Sequence, residues 1–249
     1  MGNSSPAPSS IVVRRVLASR SIFVAALLTV MSAQTSTKVE VGLFSEMEPG
    51  DVPAGWEPLR FPSIDEDTDY ILSEEEGRVV LRADSRGSAS ALVSRMEVDL
   101  ARYPYLSWSW KTGEDCFAGN WRRPEDDDFP LRLFVLFEGP GRFLSFFRGL
   151  GSTFPGDAIL YLTESLPVES EASSSHLSDR IKVVPLSWKR EPGLTWDRRV
   201  RNVRADYVAV FGKDPGSVAA VAVMTDTDNS GTECVSHFGD IYFSELMPE

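Results

Sequence analysis

The sequence predicts an all-β fold, a sandwich or a barrel, with one short helix. From Val39 onward, short alternating or apolar runs are separated by Gly, Pro, Asp and Ser, and helical stretches do not alternate with them as βα units would require. Several runs have a strict period of two: Leu106, Trp108 and Trp110 share one face, and Ser107, Ser109 and Lys111 share the other. Residues 131–137 are apolar on both faces except at Arg132, the pattern of a central strand covered on both sides.

Taken in order, residues 1–33 contain no acid and place Arg14, Arg15 and Arg20 before an apolar run that ends in Met31-Ser32-Ala33. That run is too short to span a bilayer and reads as an export signal cleaved near Ala33. The remaining 34–249 are expected to form a single β-sandwich domain in the periplasm or outside the cell. Strands are expected over 39–44, 56–61, 69–72, 78–83, 89–93, 96–100 and 106–111, then over 131–138, 158–163, 181–186, 218–224 and 240–243. An amphipathic helix is expected over 199–211, because Val200, Val203, Tyr207 and Val210 fall at helical spacing and Gly212 supplies a C-cap. Residues 164–179 are rich in Ser and Glu and read as an exposed loop. The run 143–154, with Phe143, Phe146, Phe147 and Phe154, reads as a buried helix or an apolar flap that meets a partner.

Charge excludes some functions. The chain carries a formal −12, and removing the three signal arginines makes it −15. Nucleic acid and anionic membrane surfaces both need Lys and Arg to neutralise phosphate, so neither is an expected partner. No run after the signal is long and apolar enough for a transmembrane helix. Oligomeric state is not readable. Cys116 and Cys234 are compatible with a disulfide or with two thiols, and spacing does not decide between them.

The chemistry-bearing candidates are acidic. Asp226, Asp228, Ser230 and Gly231 follow the order of the first half of a calcium loop, in which alternate oxygens converge on a hard cation. An EF-hand would need a bidentate Glu where His237 stands, so a calcium ion would require help from Asp127, Asp128 or Asp240. The competing reading is a hydrogen-bonded turn. Arg132, inside an apolar strand, needs a carboxylate partner, either Asp128 or an aspartate of the C-terminal block. With Asp127 and Asp128 it forms a candidate ligand-binding group, to which the loop tryptophans Trp121, Trp188 and Trp196 add exposed platforms for sugar rings. Trp108 and Trp110 read as core. No G-x-S-x-G, H-E-x-x-H or P-loop occurs, and no residue is assigned a catalytic role.

Several blocks occur together in one order: 103–111 (YPYLSWSWK), 127–135 (DDFPLRLFV), 158–161 (AILY), Trp196, 201–207 (RNVRADY), Phe211-Gly212, and 225–229 with 239–241. In this the chain resembles an exported bacterial family described only as a domain of unknown function, number 3047, over roughly 44–243. The resemblance implies a β-sandwich of jelly-roll type, similar to carbohydrate-binding modules, and implies no activity. Thr163 stands where that family would lead one to expect a tryptophan. Three functions are expected in order: a noncatalytic module binding glycan or a cell-envelope component, a polysaccharide-acting enzyme using the Asp/Arg cluster, and an envelope structural or assembly protein.

Overall fold

A computed structural model describes residues 1–2, 38–113, 116, 118–139, 156–164, 172–187 and 195–248. The run 1–33 expected to be an export signal, apart from its first two residues, the aromatic run 143–154 and Trp188 lie outside these residues. In chain order the first strands are β1 (Lys38–Gly42), β2 (Trp56–Arg60), β3 (Asp69–Glu75), β4 (Arg78–Arg86), β5 (Ala89–Val98), β6 (Tyr105–Thr112) and β7 (Arg132–Phe137). They are followed by β8 (Ala158–Glu164), β9 (Ser173–Ser175), β10 (Ser178–Ser187), β11 (Asp197–Asn202), the helix α1 (Val203–Phe211), β12 (Val218–Asp226), β13 (Glu233–Phe238) and β14 (Ile241–Ser244).

The strands form two sheets, an antiparallel-rich jelly-roll sandwich. The first runs β1-β14-β6-β13-β4-β3, with β11 on the other side of β6, and the second runs β2-β5-β12-β7-β8-β10-β9. Among the described pairs only β8 and β10 are parallel. Strands β13 and β14 are two halves of one strand running along β6: Ser236 faces Thr112 at one end and Ser244 faces Tyr105 at the other. The break falls at Gly239-Asp240, where the Gly239 N–H still donates to the Ser109 carbonyl. A Cβ at Gly239 would lie 2.2 Å from Ser109 Oγ, which is why a glycine occupies the break.

Alternation sorts β7 and β12 between two apolar layers. Leu133, Val135 and Phe137 with Val221 and Val223 point between the sheets, where they meet Trp108, Trp110, Tyr161, Phe238 and Phe243. Phe134 and Leu136 with Ala220, Ala222 and Met224 point to the outer side of the second sheet. Trp108 and Trp110 are core, as their spacing predicts: their rings pack edge-on at 5.3 Å, and both are buried.

Four sequence expectations are corrected. The helix begins at Val203 rather than 199, because residues 197–202 pair with β6 from Asp197↔Trp110 to Asn202↔Tyr105. The Asn202 side chain then accepts the Ala205 N–H, an N-cap that fixes where the strand ends and the helix begins. The runs 89–93 and 96–100 belong to one strand, β5. Residues Ser173–Ser175 form a short edge strand inside the expected loop, and β13, polar at Glu233, Ser236 and His237, lacks an apolar signature. Helix α1 buries Val203 and Tyr207 against the inter-sheet core, with Tyr207 and Phe137 ring centroids 4.5 Å apart.

Candidate functional site

Asp226 is the last residue of β12, and Arg132 is the first of β7, its neighbour. Arg132 pairs with Met224 in register, so Arg132 and Asp226 emerge on the same outer face of the second sheet. The guanidinium grips the carboxylate in bidentate fashion, Nε donating to Oδ1 at 2.9 Å and Nη2 to Oδ2 at 2.7 Å. The Phe129 N–H donates to the same Oδ1 at 3.1 Å. Arg132 also donates to the Asp127 carbonyl and faces the Asp127 carboxylate at 3.2 Å. A charge in this strand needs such a partner, because an unpaired guanidinium in an apolar layer would cost several kcal/mol.

The segment before β7 is shaped to deliver the aspartates. Gly119 N–H donates to the Asp128 carbonyl and Asn120 N–H to that of Asp126, both at 2.8 Å. A Cβ on Gly119 would meet the Asp126 carbonyl oxygen at 1.8 Å, so only glycine fits beneath this turn. Gly119→Ala is expected to displace the Asp126–Asp128 backbone at a cost of about 1–3 kcal/mol. Chemical denaturation of the variant would check this, and an unchanged midpoint would contradict it. Asp128 in turn caps the loop after β12, accepting the N–H groups of Asn229 at 3.1 Å and Ser230 at 2.6 Å. The disulfide Cys116–Cys234, which spacing left open, ties the start of this segment to β13.

One carboxylate oxygen each from Asp128, Asp226 and Asp228 lies within 4.8 Å of the others, a group that could hold a metal ion. With Asp127, four carboxylates gather around one guanidinium. Burial pushes the Asp226 carboxyl up to about 8, with Asp127 and Asp128 adding to the push and Arg132 opposing it. Burial and the nearby Asp128 also raise Asp228. Arg132 is held firmly protonated by Asp226 and Asp127 in spite of its burial.

The sequence candidates divide. Asp127, Asp128, Arg132, Asp226 and Asp228 converge. Asp240 does not: it lies at the break between β13 and β14 and accepts the N–H and hydroxyl of Ser45. Ser230 takes part through its N–H, while its hydroxyl turns to Thr232 and the Thr227 carbonyl, so it offers the cluster no side-chain oxygen. Trp121 is 2% exposed and packs in the outer apolar layer, so it is no platform. Trp196 is half-buried, with its indole N–H donating to Glu76 and the Arg78 guanidinium 3.9 Å over its ring. One participant had no sequence signal: His176, in the Ser-rich stretch, places Nε2 2.7 Å from Asp127 Oδ2. Forty-nine residues separate the two, and the pairing of β7 with β8 and of β8 with β10 brings their segments together.

Residues 54–242 match the family described as protein of unknown function, DUF3047. The chain belongs to that family. No curated protein matches it in sequence. Among solved structures it is similar to a family 11 carbohydrate-binding module of a Clostridium thermocellum cellulosomal cellulase, at 9% identity and a TM-score of 0.40, covering 85% of this chain and 96% of that one. It is also similar to an adhesin domain of Lys-gingipain from Porphyromonas gingivalis, at 12% identity and a TM-score of 0.36, covering 80% and 98%. A third similarity, to an exo-β-agarase, has 8% identity and a TM-score of 0.35, covering 85% of this chain and 25% of that one. At such identities the likeness is one of fold and says nothing of what this DUF3047 member binds.

Proposed function

We propose that this DUF3047 member is an exported, noncatalytic binding module for a glycan or another cell-envelope component, and that its aspartate cluster takes a calcium ion. The observation that carries the reading is the gathering of Asp128, Asp226 and Asp228 carboxylates beside the Arg132 guanidinium, which itself pairs with Asp226 and Asp127. Fully ionised, that group is short of positive charge, and an all-oxygen donor set suits a hard cation, with water completing the coordination. The disulfide supports export, since such bridges persist in oxidising compartments.

The glycosidase reading has less support from the same geometry. Two-carboxylate hydrolysis needs carboxyl groups about 5–5.5 Å apart for retention, or about 6.5–9.5 Å apart for inversion. Here the oxygens of Asp128, Asp226 and Asp228 lie closer, and those of Asp128 and Asp226 are engaged by backbone N–H groups and Arg132.

Calcium at a hundred times its dissociation constant is expected to stabilise the fold by about 2.7 kcal/mol. For a domain of this size that corresponds to a rise in Tm of roughly 5–10 °C. Thermal unfolding with calcium and with a chelator measures it, and Asp228→Asn should abolish the difference. Identical melting curves in both would remove the cation. A glycan array and calorimetry against envelope fractions test the binding role, and silence in both would remove it.

A further inference from the structure

The outer face of the first sheet carries two aromatic rings that water reaches. Ser107, Ser109 and Lys111 of β6 point to this face, since Leu106, Trp108 and Trp110 fill the core. Trp196 lies over it: a Cβ on Gly239 would sit 3.4 Å from the indole, and Lys111 Nζ is 5.3 Å from its ring. Tyr242 pairs with Ser107 in register and so stands on the same face. The two rings are therefore two to four residues apart along β6, about 7–13 Å. Gly239 and Ser109 between them add no bulk. Both rings are partly exposed, whereas every other tryptophan among the described residues is buried.

Polar groups of both kinds surround the rings. Arg198 is the register partner of Ser109 and is exposed, and among the described residues neither its guanidinium nor the Ser109 hydroxyl has a partner. The Glu76 side chain, 55% exposed, accepts the indole N–H of Trp196. Buried Lys111 holds Glu76 at 2.9 Å and Glu75 at 2.5 Å, which fixes both carboxylates. The Arg78 guanidinium rests 3.9 Å over the indole, and an exposed contact of this kind is weak enough for a ligand to displace. Lys111 and Arg78 offset Glu75 and Glu76, so the face draws neither sign of charge strongly, and the chain's −12 repels a polyanion. A sugar ring matches such a surface: its C–H face packs on an aromatic ring, and its hydroxyls bond to a carboxylate or guanidinium at the rim.

We propose that the outer face of the first sheet is the glycan-binding surface. Trp196 and Tyr242 each take one ring of a neutral oligosaccharide, and Ser109 and Arg198 bond to hydroxyls between them. The proposal rests on the binding-module reading and gives the glycan a site of its own, on the other sheet from the aspartate cluster.

Calorimetry with neutral gluco-, manno- and xylo-oligosaccharides of increasing length tests it, with oligogalacturonate as the charged control. Affinity for the sugar that binds is expected to rise about tenfold between the monosaccharide and the tetrasaccharide as the second ring engages, and then to level off. Trp196→Ala and Tyr242→Ala should each weaken the tetrasaccharide about tenfold while keeping a cooperative melting transition. The ligand should quench tryptophan fluorescence in the native protein and in Tyr242→Ala, and leave it unchanged in Trp196→Ala. If Trp196→Ala does not fold, Arg198→Ala at its exposed position decides with Tyr242→Ala, and is expected to weaken binding about fivefold. Binding that is undiminished in these variants, independent of length or tighter for oligogalacturonate overturns the proposal and leaves the binding-module reading standing. Silence of the native protein toward every oligosaccharide removes the glycan from both, and the calcium response judges the cation separately.

Discussion

Arg132→Met is expected to destabilise the fold by about 3–5 kcal/mol, because it leaves the buried Asp226 carboxylate without its counter-charge. Both members are buried, at 2% and 3% exposure, and water cannot take the guanidinium's place. At roughly 2–4 °C per kcal/mol the Tm should fall by about 6–20 °C. The pH dependence separates this cause from simple loss of packing. Burial already pushes the Asp226 carboxyl up to about 8 with Arg132 present, and removing Arg132 pushes it further. The folded state then holds a proton more tightly than the unfolded chain does. The stability linked to that proton is present at acidic pH and is lost as the pH rises through the folded value. The variant should therefore lie nearest the native protein at about pH 5 and furthest from it near pH 9. The double variant Arg132→Met with Asp226→Leu should recover part of the loss and show no such slope. A single variant that unfolds at the native midpoint at every pH would mean that the pair contributes nothing to stability.

Arg132 also shows how far the sequence could be read. A lone arginine among Leu131, Leu133, Phe134 and Val135 is costly enough to demand a carboxylate, so its need for a partner was legible in the sequence, which left Asp128 and the C-terminal aspartates open as candidates. So was most of the strand pattern, because the period of two is local and strong at 106–111 and short apolar runs bounded by turn residues mark strands such as 158–163. Where the signal was non-local, sequence failed. Residues 197–202 carry the arginines of a helix face, yet extended pairing with β6 satisfies their backbone, and Asn202 delays the helix. Strand β13 is half polar because its outward side chains meet others: His237 lies opposite Lys111, which is itself fully buried beside Glu75 and Glu76. His176 met Asp127 only through sheet pairing. Asp240 shared the acidic type of its neighbours, but the interruption between β13 and β14 at Gly239 carries it to Ser45 instead. Composition names candidates, and register decides which of them meet.

Removing the disulfide with Cys116→Ser and Cys234→Ser is expected to lower stability by about 2–5 kcal/mol, or roughly 4–20 °C in Tm. The cysteines are 118 positions apart, so the bridge closes a long loop and restricts the unfolded chain strongly. In the folded state the same segment is anchored many times over. Pro130 accepts hydrogen bonds from Thr225 and Ser236, Gly113 donates to Val235, and Asp128 holds the loop after β12. Those contacts keep the aspartates in place whether or not the sulfurs are joined. The effect should therefore fall on the unfolded state, and the calcium-induced rise in Tm should survive in the serine variant although both its melting curves shift down. A variant that keeps its Tm would show that the bridge restricts nothing the chain would otherwise explore. One that loses the calcium response would show instead that the sulfurs position Asp127 and Asp128, and that the hydrogen bonds around Pro130 are too weak to do so alone.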